Sequence, residues 1–310
     1  MNLQEKLNYF GKNRVPFFFL IGYDLTSWEV IPLQSLPQDI KYSINSTNKF
    51  QKSIKLETIF EDIDSYKNKF DQVISNIKKG NTYLLNLTSQ TKILNKISLD
   101  EVYNSSDAKY KLYYKDKFVS FSPETFVQID YNTISTFPMK GTIDASIPNA
   151  QKIILDDKKE LAEHTMVVDL LRNDLNIVAK NIKVQNFRYA QTIKAGKKQL
   201  IQISSKITGS LKPNWHTQIG DILVPMLPAG SITGTPKKKT VELINKIEQY
   251  NRDYFTGIWG IYDGNSLNSA VLIRYIQKQN NQLYYKSGGG ITLDSDMIDE
   301  YNEMKNKVYI

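Results

Sequence analysis

The chain has 310 residues, 41% of them hydrophobic, enough for one large core or two small ones. It has no Cys and two His, His164 and His216, which excludes disulfides, thiolate metal sites and a His-rich metal site. Any metal must then be held by oxygen. The formal charge is +8 and the pI about 9.2. The lysines are nevertheless dispersed, and basic runs such as Lys237-Lys238-Lys239 are short. Arg, on which groove readers and phosphate clamps rely, occurs only at positions 14, 172, 188, 252 and 274. A solvated Lys-rich surface explains this balance better than nucleic-acid binding. The N-terminus lacks the basic-then-apolar layout of a signal peptide, and no apolar run reaches membrane-spanning length. A soluble cytoplasmic protein without a membrane partner is expected.

Residues 17–23 form a continuous apolar run and read as a buried strand. Asn, Ser and Pro break the pattern between Pro32 and Asn48. From Asp62 the spacing turns helical: Ile63, Tyr66, Phe70, Val73, Ile74 and Ile77 share one face, and Gly80 stands as the C-cap. Strands are predicted over 82–88, 111–114, 118–121 and 126–130. The extended segment 132–135 then leads into Pro138-Met139-Lys140-Gly141-Thr142. A long helix over 156–177, a strand over 200–207 and a short helix over 218–223 follow. The Gly- and Pro-rich stretch 225–237 opens onto a helix carrying Val241, Ile244 and Ile247, with Thr235 as N-cap and Pro236 at the first helical position. Strands over 255–262, 269–277 and 282–287 precede Gly288-Gly289-Gly290 and a terminal helix from Asp296. This order is not a regular β-α-β alternation, so an α+β domain of largely antiparallel sheet is expected.

The stretch Pro138–Thr142 presents one amine, Lys140, between two structure breakers at the end of a strand. Alone it reads as a surface lysine in a turn; its company along the chain is what suggests chemistry. Glu300, Glu303 and Lys307 share a helical face, either as a solvated charge ladder or as two carboxylates for a hard divalent cation beside an ammonium for an anion. Glu160 and Glu163 lie one turn apart on the long helix, and Glu163 suits the same cation. Arg172, Asn173 and Asp174 read as internal pairing that braces that helix. Gly288–Gly290 fits an anion-binding nest or a sharp turn, and Ser231-Ile232-Thr233-Gly234 is a similar cradle. Arg274 interrupts an apolar strand, where a guanidinium either pairs in the core or takes a carboxylate bidentately. Glu124, between Pro123 and an apolar strand, suits a general acid with a raised pKa.

Seven stretches, 80–87, 122–126, 138–142, 163–174, 229–237, 272–274 and 288–307, together resemble the chorismate-utilising enzymes. That family includes component I of aminodeoxychorismate synthase and of anthranilate synthase, isochorismate synthase and salicylate synthase. The resemblance implies the α+β fold of that family, with largely antiparallel sheets and flanking helices. It makes 62–310 the chorismate-binding catalytic domain and 1–61 a short N-terminal region packed on it, too short for the tryptophan site of some relatives. It implies Mg²⁺ on Glu163 and Glu303, with Glu300 nearby. Arg274, Lys307 and the amides of Gly288, Gly289 and Gly290 would bind the two carboxylates of chorismate. Thr142 and Thr233 would line the pocket, and Glu124 would protonate the departing C4 hydroxyl.

Lys140 is implied to be a nucleophile at C2 of the ring, because aminodeoxychorismate synthases typically carry Lys here and their anthranilate and isochorismate relatives carry Ala. Leu84 stands where isochorismate-type enzymes place a Lys. Gln202 stands where many relatives have a His, tied in the anthranilate branch to pyruvate elimination. Ile261 replaces a substrate-contacting Tyr, which leaves that contact to Tyr262. The implied reaction is amination of chorismate to 4-amino-4-deoxychorismate. Ammonia would come from a separate glutamine amidotransferase subunit, since the chain has no Cys to hydrolyse glutamine. The alternative is component I of anthranilate synthase.

Overall fold

The computed structural model describes residues 1–45, 54–195 and 198–310. In chain order the elements are α1 (Leu3–Lys12), β1 (Phe17–Ile21), β2 (Trp28–Pro32), β3 (Ile40–Ile44), β4 (Thr58–Ile59) and α2 (Ile63–Lys78). Next come β5 (Leu84–Ile93), α3 (Leu99–Ser105), β6 (Tyr110–Tyr114), β7 (Phe118–Ser122), β8 (Thr125–Asp130), β9 (Thr133–Thr136) and β10 (Met139–Asp144). Two helices, α4 (Ala150–Asp156) and α5 (Lys158–Val178), lead to the hairpin of β11 (Lys180–Ala195) and β12 (Lys198–Ser210). After α6 (Ile219–Leu223), the short β13 (Gly234–Thr235) and α7 (Lys237–Glu248) come β14 (Ile258–Tyr262), β15 (Leu267–Val271), β16 (Tyr275–Gln279), β17 (Gln282–Ile291) and α8 (Met297–Asn306).

The strands form two antiparallel sheets, as expected for α+β. One runs β10-β12-β9-β8-β15-β14-β1-β2 with β11 beside β12; the other runs β13-β5-β17-β16-β7-β6-β3 with β4 beside β5. The run over 17–23 is apolar throughout because β1 lies between β14 and β2 and is buried on both faces. Phe17, Phe19 and Ile21 enter the main core, whereas Phe18 and Leu20 meet Tyr110, Leu112, Trp259 and Tyr275 between the two sheets. Residues 1–61 therefore do more than rest on the rest of the chain: β1 is in one sheet, and β3 and β4 are in the other. The broken stretch that begins at Pro32 contains β3, and its end, 46–48, lies outside the described residues.

Helix ends follow local chemistry. Asp62 caps α2 by accepting from the Asp64 and Ser65 amides, and Gly80 follows the C-cap in the left-handed region at φ +73°. The helical pattern after 156 starts cleanly at Lys158, because Asp157 turns extended and caps α5 through the Glu160 amide. Thr235 is not the cap of α7. It pairs with Leu84 in β13, and Pro236 takes the N-cap position without a side-chain bond. The strand expected over 269–277 is two strands, broken at 272–274, where Arg274 has φ +50°. Gly288–Gly290 form neither nest nor turn: they are the last part of β17, paired with Thr88, Leu87 and Asn86.

Beneath this strand pair, Glu248 and Arg252 form a buried ion pair at 2.6 Å. Glu248 also accepts from the Thr88 amide and hydroxyl, while Arg252 donates to the carbonyls of Asn86 and Ile232. The pair thus pins β5 to the segments on either side of α7. Glu248→Ala would leave a guanidinium buried without its counter-ion and should cost about 3–5 kcal/mol, read as a lower midpoint in denaturant unfolding.

Candidate active site

A cleft opens between the two sheets and α5. Glu124, Lys140, Glu163, Arg274, Gly288, Gly289, Gly290 and Lys307 all line it, although they come from widely separated parts of the sequence.

Lys140 enters at the start of β10. Its ammonium pairs with Glu163 of α5 at 2.7 Å. Burial opposes that charge, but Glu163, Glu303 and Glu160 outweigh it and hold the amine above its ordinary pKa. A nucleophilic amine must be neutral to attack, through a lowered pKa or through removal of its proton, and the pKa is not lowered here. These carboxylates are the reason.

The glycine strand explains how α8 comes so close. A Cβ on Gly289 would lie 3.1 Å from Glu300 Oε2, 3.7 Å from Glu303 Oε1 and 3.7 Å from Lys307 Nζ. Gly288 is needed for another reason, since its Cβ would meet the Leu87 carbonyl at 2.2 Å. Strand β16 accompanies β17 only as far as Lys286, leaving one edge of β17 without a strand neighbour beyond it. The amides of Asn86 and Thr88 point away from β17, to the Thr233 carbonyl and to Glu248. The opposite residues Gly288 and Gly290 must then turn their own N–H and C=O groups to the free edge, where the Gly288 carbonyl accepts from Lys307 at 2.8 Å. Two of the three expected amides, not Gly289, are thereby free of the ladder.

Charge is divided across the cleft. At one end Glu163 lines the cleft beside Lys140, and Glu160, Glu300 and Glu303, outside that lining, also act on the Lys140 charge. Burial raises the pKa of Glu300, whose Oε1 accepts from Ser295 at 2.8 Å. Glu303 is half-exposed; partial desolvation opposes its charge, but Lys307, 2.7 Å away, and Lys140 keep it below its ordinary value. At the other end are Lys307 and Arg274. Arg274 donates to the Lys307 carbonyl at 3.0 Å and stacks its guanidinium over Tyr309. Burial lowers the pKa of Lys307.

Glu124 stands just ahead of β8 and accepts from the Ser231 hydroxyl at 2.6 Å. Burial raises its pKa, while Ser231 and Lys307 act in the opposite sense. Ser231 is in turn placed by Asp174. That residue does not brace its own helix: it accepts from the Gly230 amide at 2.9 Å and from Lys237 at 2.7 Å, tying α5 to the 226–237 segment. Arg172 does pair within the helix, with Asp169.

Some expected residues lie elsewhere. Thr142 is exposed and outside the cleft lining. Two residues on from Lys140 it would share its face in a regular strand, but Gly141 at φ +90° and a register shift between Met139 and Thr142 break the alternation. Thr233 is buried beside the cleft rather than lining it; its carbonyl accepts from the Asn86 amide and its own amide donates to the Gly230 carbonyl. Tyr262 cannot supply the contact left by Ile261, since its hydroxyl bonds the Gly264 carbonyl and His216 in the core. Leu84 does line the cleft; Gln202 does not, and pairs with Thr142 and Gln191. Sequence reasoning missed Asn86, Met166, Val167 and Lys286, which also line it. Lys286 is fully buried, bonds the Asn251 and Arg252 carbonyls, and has its pKa pushed down by burial to about 8. In sequence it is an ordinary strand lysine.

Among the described residues no three carboxylates or imidazoles form a ready metal cluster. The donor chemistry still fits a hard cation: four carboxylates face two ammoniums, and the buried Glu160 Oε2 has no hydrogen-bond partner. A Mg²⁺ site needs only one or two protein carboxylates, with water and substrate completing it.

Residues 27–310 match the family described as chorismate binding enzyme. The chain belongs to the chorismate-binding enzyme family. It is 46% identical over 312 residues to an uncharacterized PabA-like protein of Haemophilus influenzae, covering 99% of this chain and 95% of that one. It is 30% identical to aminodeoxychorismate synthase component 1 of Salmonella typhimurium, over 78% of this chain and 56% of that one. It is 33% identical to anthranilate synthase component 1 of Neisseria meningitidis, over 61% and 39%. Among solved structures, the menaquinone-specific isochorismate synthase of Escherichia coli shares the fold at a TM-score of 0.74 and 14% identity, over 98% of this chain and 80% of that one. Among the described residues no helix is long and apolar enough to cross a membrane.

Two tests follow from this geometry. Gly289→Ala should fold and lose chorismate turnover, because its methyl group presses on the Glu300 carboxylate, whereas Gly288→Ala should fail first in stability, by thermal unfolding. With a raised pKa, Glu124 stays protonated to higher pH than an ordinary carboxyl, and turnover that needs its proton falls as pH rises through that value. Ser231→Ala removes a bond to the charged form, so the alkaline limb of the pH–rate profile should move upward.

Proposed function

We propose that this protein aminates chorismate at C4 to give 4-amino-4-deoxychorismate, with Lys140 as covalent nucleophile. The observation that carries the reading is the placing of Lys140 inside the cleft, on the Glu163 side, with the buried Glu124 carboxyl also facing it. The basic end, Arg274, Lys307 and the free amides of Gly288 and Gly290, suits the two carboxylates of chorismate. Glu163 and Glu303, with Glu300, would hold Mg²⁺ at the acidic end. When bound, that ion withdraws electron density from the ring carboxylate and offsets the carboxylate charge around Lys140.

In the proposed reaction the Lys140 amine, once neutral, forms a bond to C2 as both ring double bonds shift toward C4. The C4 hydroxyl leaves as water, taking the proton of Glu124. Ammonia then bonds C4, both double bonds shift back, and the C2–N bond breaks to return the lysine. One hard displacement becomes two easier steps. Leu84 offers no base at the position where a water-activating lysine would stand. The chain has no Cys, so ammonia would be supplied free or by a separate glutamine amidotransferase subunit. Such chemistry suits a cytoplasmic enzyme of 4-aminobenzoate and folate biosynthesis.

Incubating the protein with chorismate, Mg²⁺ and an ammonium salt should consume chorismate and release a product that keeps its enolpyruvyl group, seen by mass spectrometry. Anthranilate and pyruvate in its place would sink the reading and make the protein an anthranilate synthase component I. Lys140→Ala should abolish amination; unchanged amination would remove the covalent role.

A further inference from the structure

His164 is fully buried in α5, one residue after Glu163, and no part of the proposed chemistry uses it. Its Nε2 lies 2.7 Å from the Ser205 hydroxyl, and its Nδ1 lies 3.4 Å from the Lys140 carbonyl. The tautomer can be deduced. The Lys140 carbonyl can only accept, so Nδ1 must donate to it, and Nε2 accepts from the Ser205 hydroxyl, which in turn accepts from the Arg188 amide at 2.9 Å. The ring proton is then on Nδ1, directed at the Lys140 carbonyl. Ser205 also donates its amide to the Pro138 carbonyl at 2.9 Å. Both carbonyls flanking Met139-Lys140 are thus held from the same place, where Gly141 turns at φ +90° and the ladder to β12 slips register. A bulged segment makes fewer ladder bonds and needs other anchors.

We propose that His164 is a positioning residue for Lys140: Glu163 and His164, consecutive on α5, hold the lysine by its amine and by its main-chain carbonyl. The helix thereby fixes both ends of the residue that must reach the ring. Phe187 packs edge-on against the imidazole at 5.8 Å. This inference rests on the reading of Lys140 as the reacting amine. A misplacement of about 1 Å at such a group costs on the order of 100-fold in rate.

The test compares His164→Ala, His164→Asn and His164→Gln. The Asn amide places an N–H near the Nδ1 position and can still reach the Lys140 carbonyl. Gln places its amide near Nε2 and serves Ser205 alone. For chorismate consumption, Ala and Gln should lower kcat by about 100-fold with KM little changed, and Asn should restore most of kcat. Asn falling as far as Ala, or Gln restoring in its place, would overturn the proposal, as would a loss confined to KM. Should Ala fail to fold, the Asn and Gln variants carry the comparison. Amide hydrogen exchange across 138–144 provides an arm independent of turnover: faster exchange in Gln than in Asn supports the anchor, and equal exchange overturns it. If the wild-type protein consumes no chorismate, the proposed function falls, and the exchange arm still decides the anchor.

Discussion

Three residues without side chains set the geometry of this cleft. Gly288 lets β5 approach to a distance that a methyl group would forbid, and Gly289 lets the carboxylates and ammonium of α8 settle onto the strand from the other face. The fold needs the first and the chemistry needs the second. Neither depends on an unusual backbone angle, since none of the three glycines has a positive φ. The glycines serve by taking up no space. The departure of β16 at Arg274 completes the arrangement, because it bares an edge of the same strand and brings a guanidinium to it.

A polar cleft in a large core raises the question of what keeps its charges apart. The acidic and basic ends are bridged by one side-chain pair, Glu303 with Lys307, and each belongs to its own end as well. Lys140 has the opposite setting. It is the one amine within a group of carboxylates, so it is held charged unless a cation or a change of protonation relieves that field. In the proposed reaction the same carboxylates would attract a divalent ion and, without it, would keep the lysine charged. Such a coupling would give a physical reason for the proposed nucleophile and the proposed metal site to share ligands.

The periodic and capped parts of the fold were legible in the sequence. Asp62 and Gly80 bound α2 because a cap and a left-handed glycine act locally, and the apolar run of β1 announced a strand buried on both faces. Of the carboxylates and cations at helical spacing on α5 and α8, Glu163 and Lys307 line the cleft, whereas Glu160, Glu300 and Glu303 lie outside its lining. The errors cluster where the outcome depends on long-range pairing. Thr142 was lost to a bulge that Gly141 permits but whose register only the pairing with β12 decides, and Gly288–Gly290 looked like a turn because their partners lie two hundred residues earlier, in β5. Asp174 seemed to brace its own helix because Arg172 is near in sequence, yet its partners Gly230 and Lys237 are near only in space. His164 and Lys286 gave no signal, since a lone imidazole on a helix and a lysine in a strand are ordinary until burial is known.

Helix α5 gathers these threads. Within twelve residues, roughly 16 Å of rise, Glu163 takes the amine of Lys140, Met166 and Val167 form an apolar wall of the cleft, and Asp174 anchors the segment that carries Ser231 to Glu124. The proposed nucleophile and the proposed acid are thus both referred to one rigid rod, although they sit on different strands. A reaction in which an amine must add as a hydroxyl leaves requires that those two groups keep a fixed separation. A single helix packed against both is a more dependable way to fix it than two loops adjusted independently, and it confines the variable positions, Leu84 among them, to the walls between.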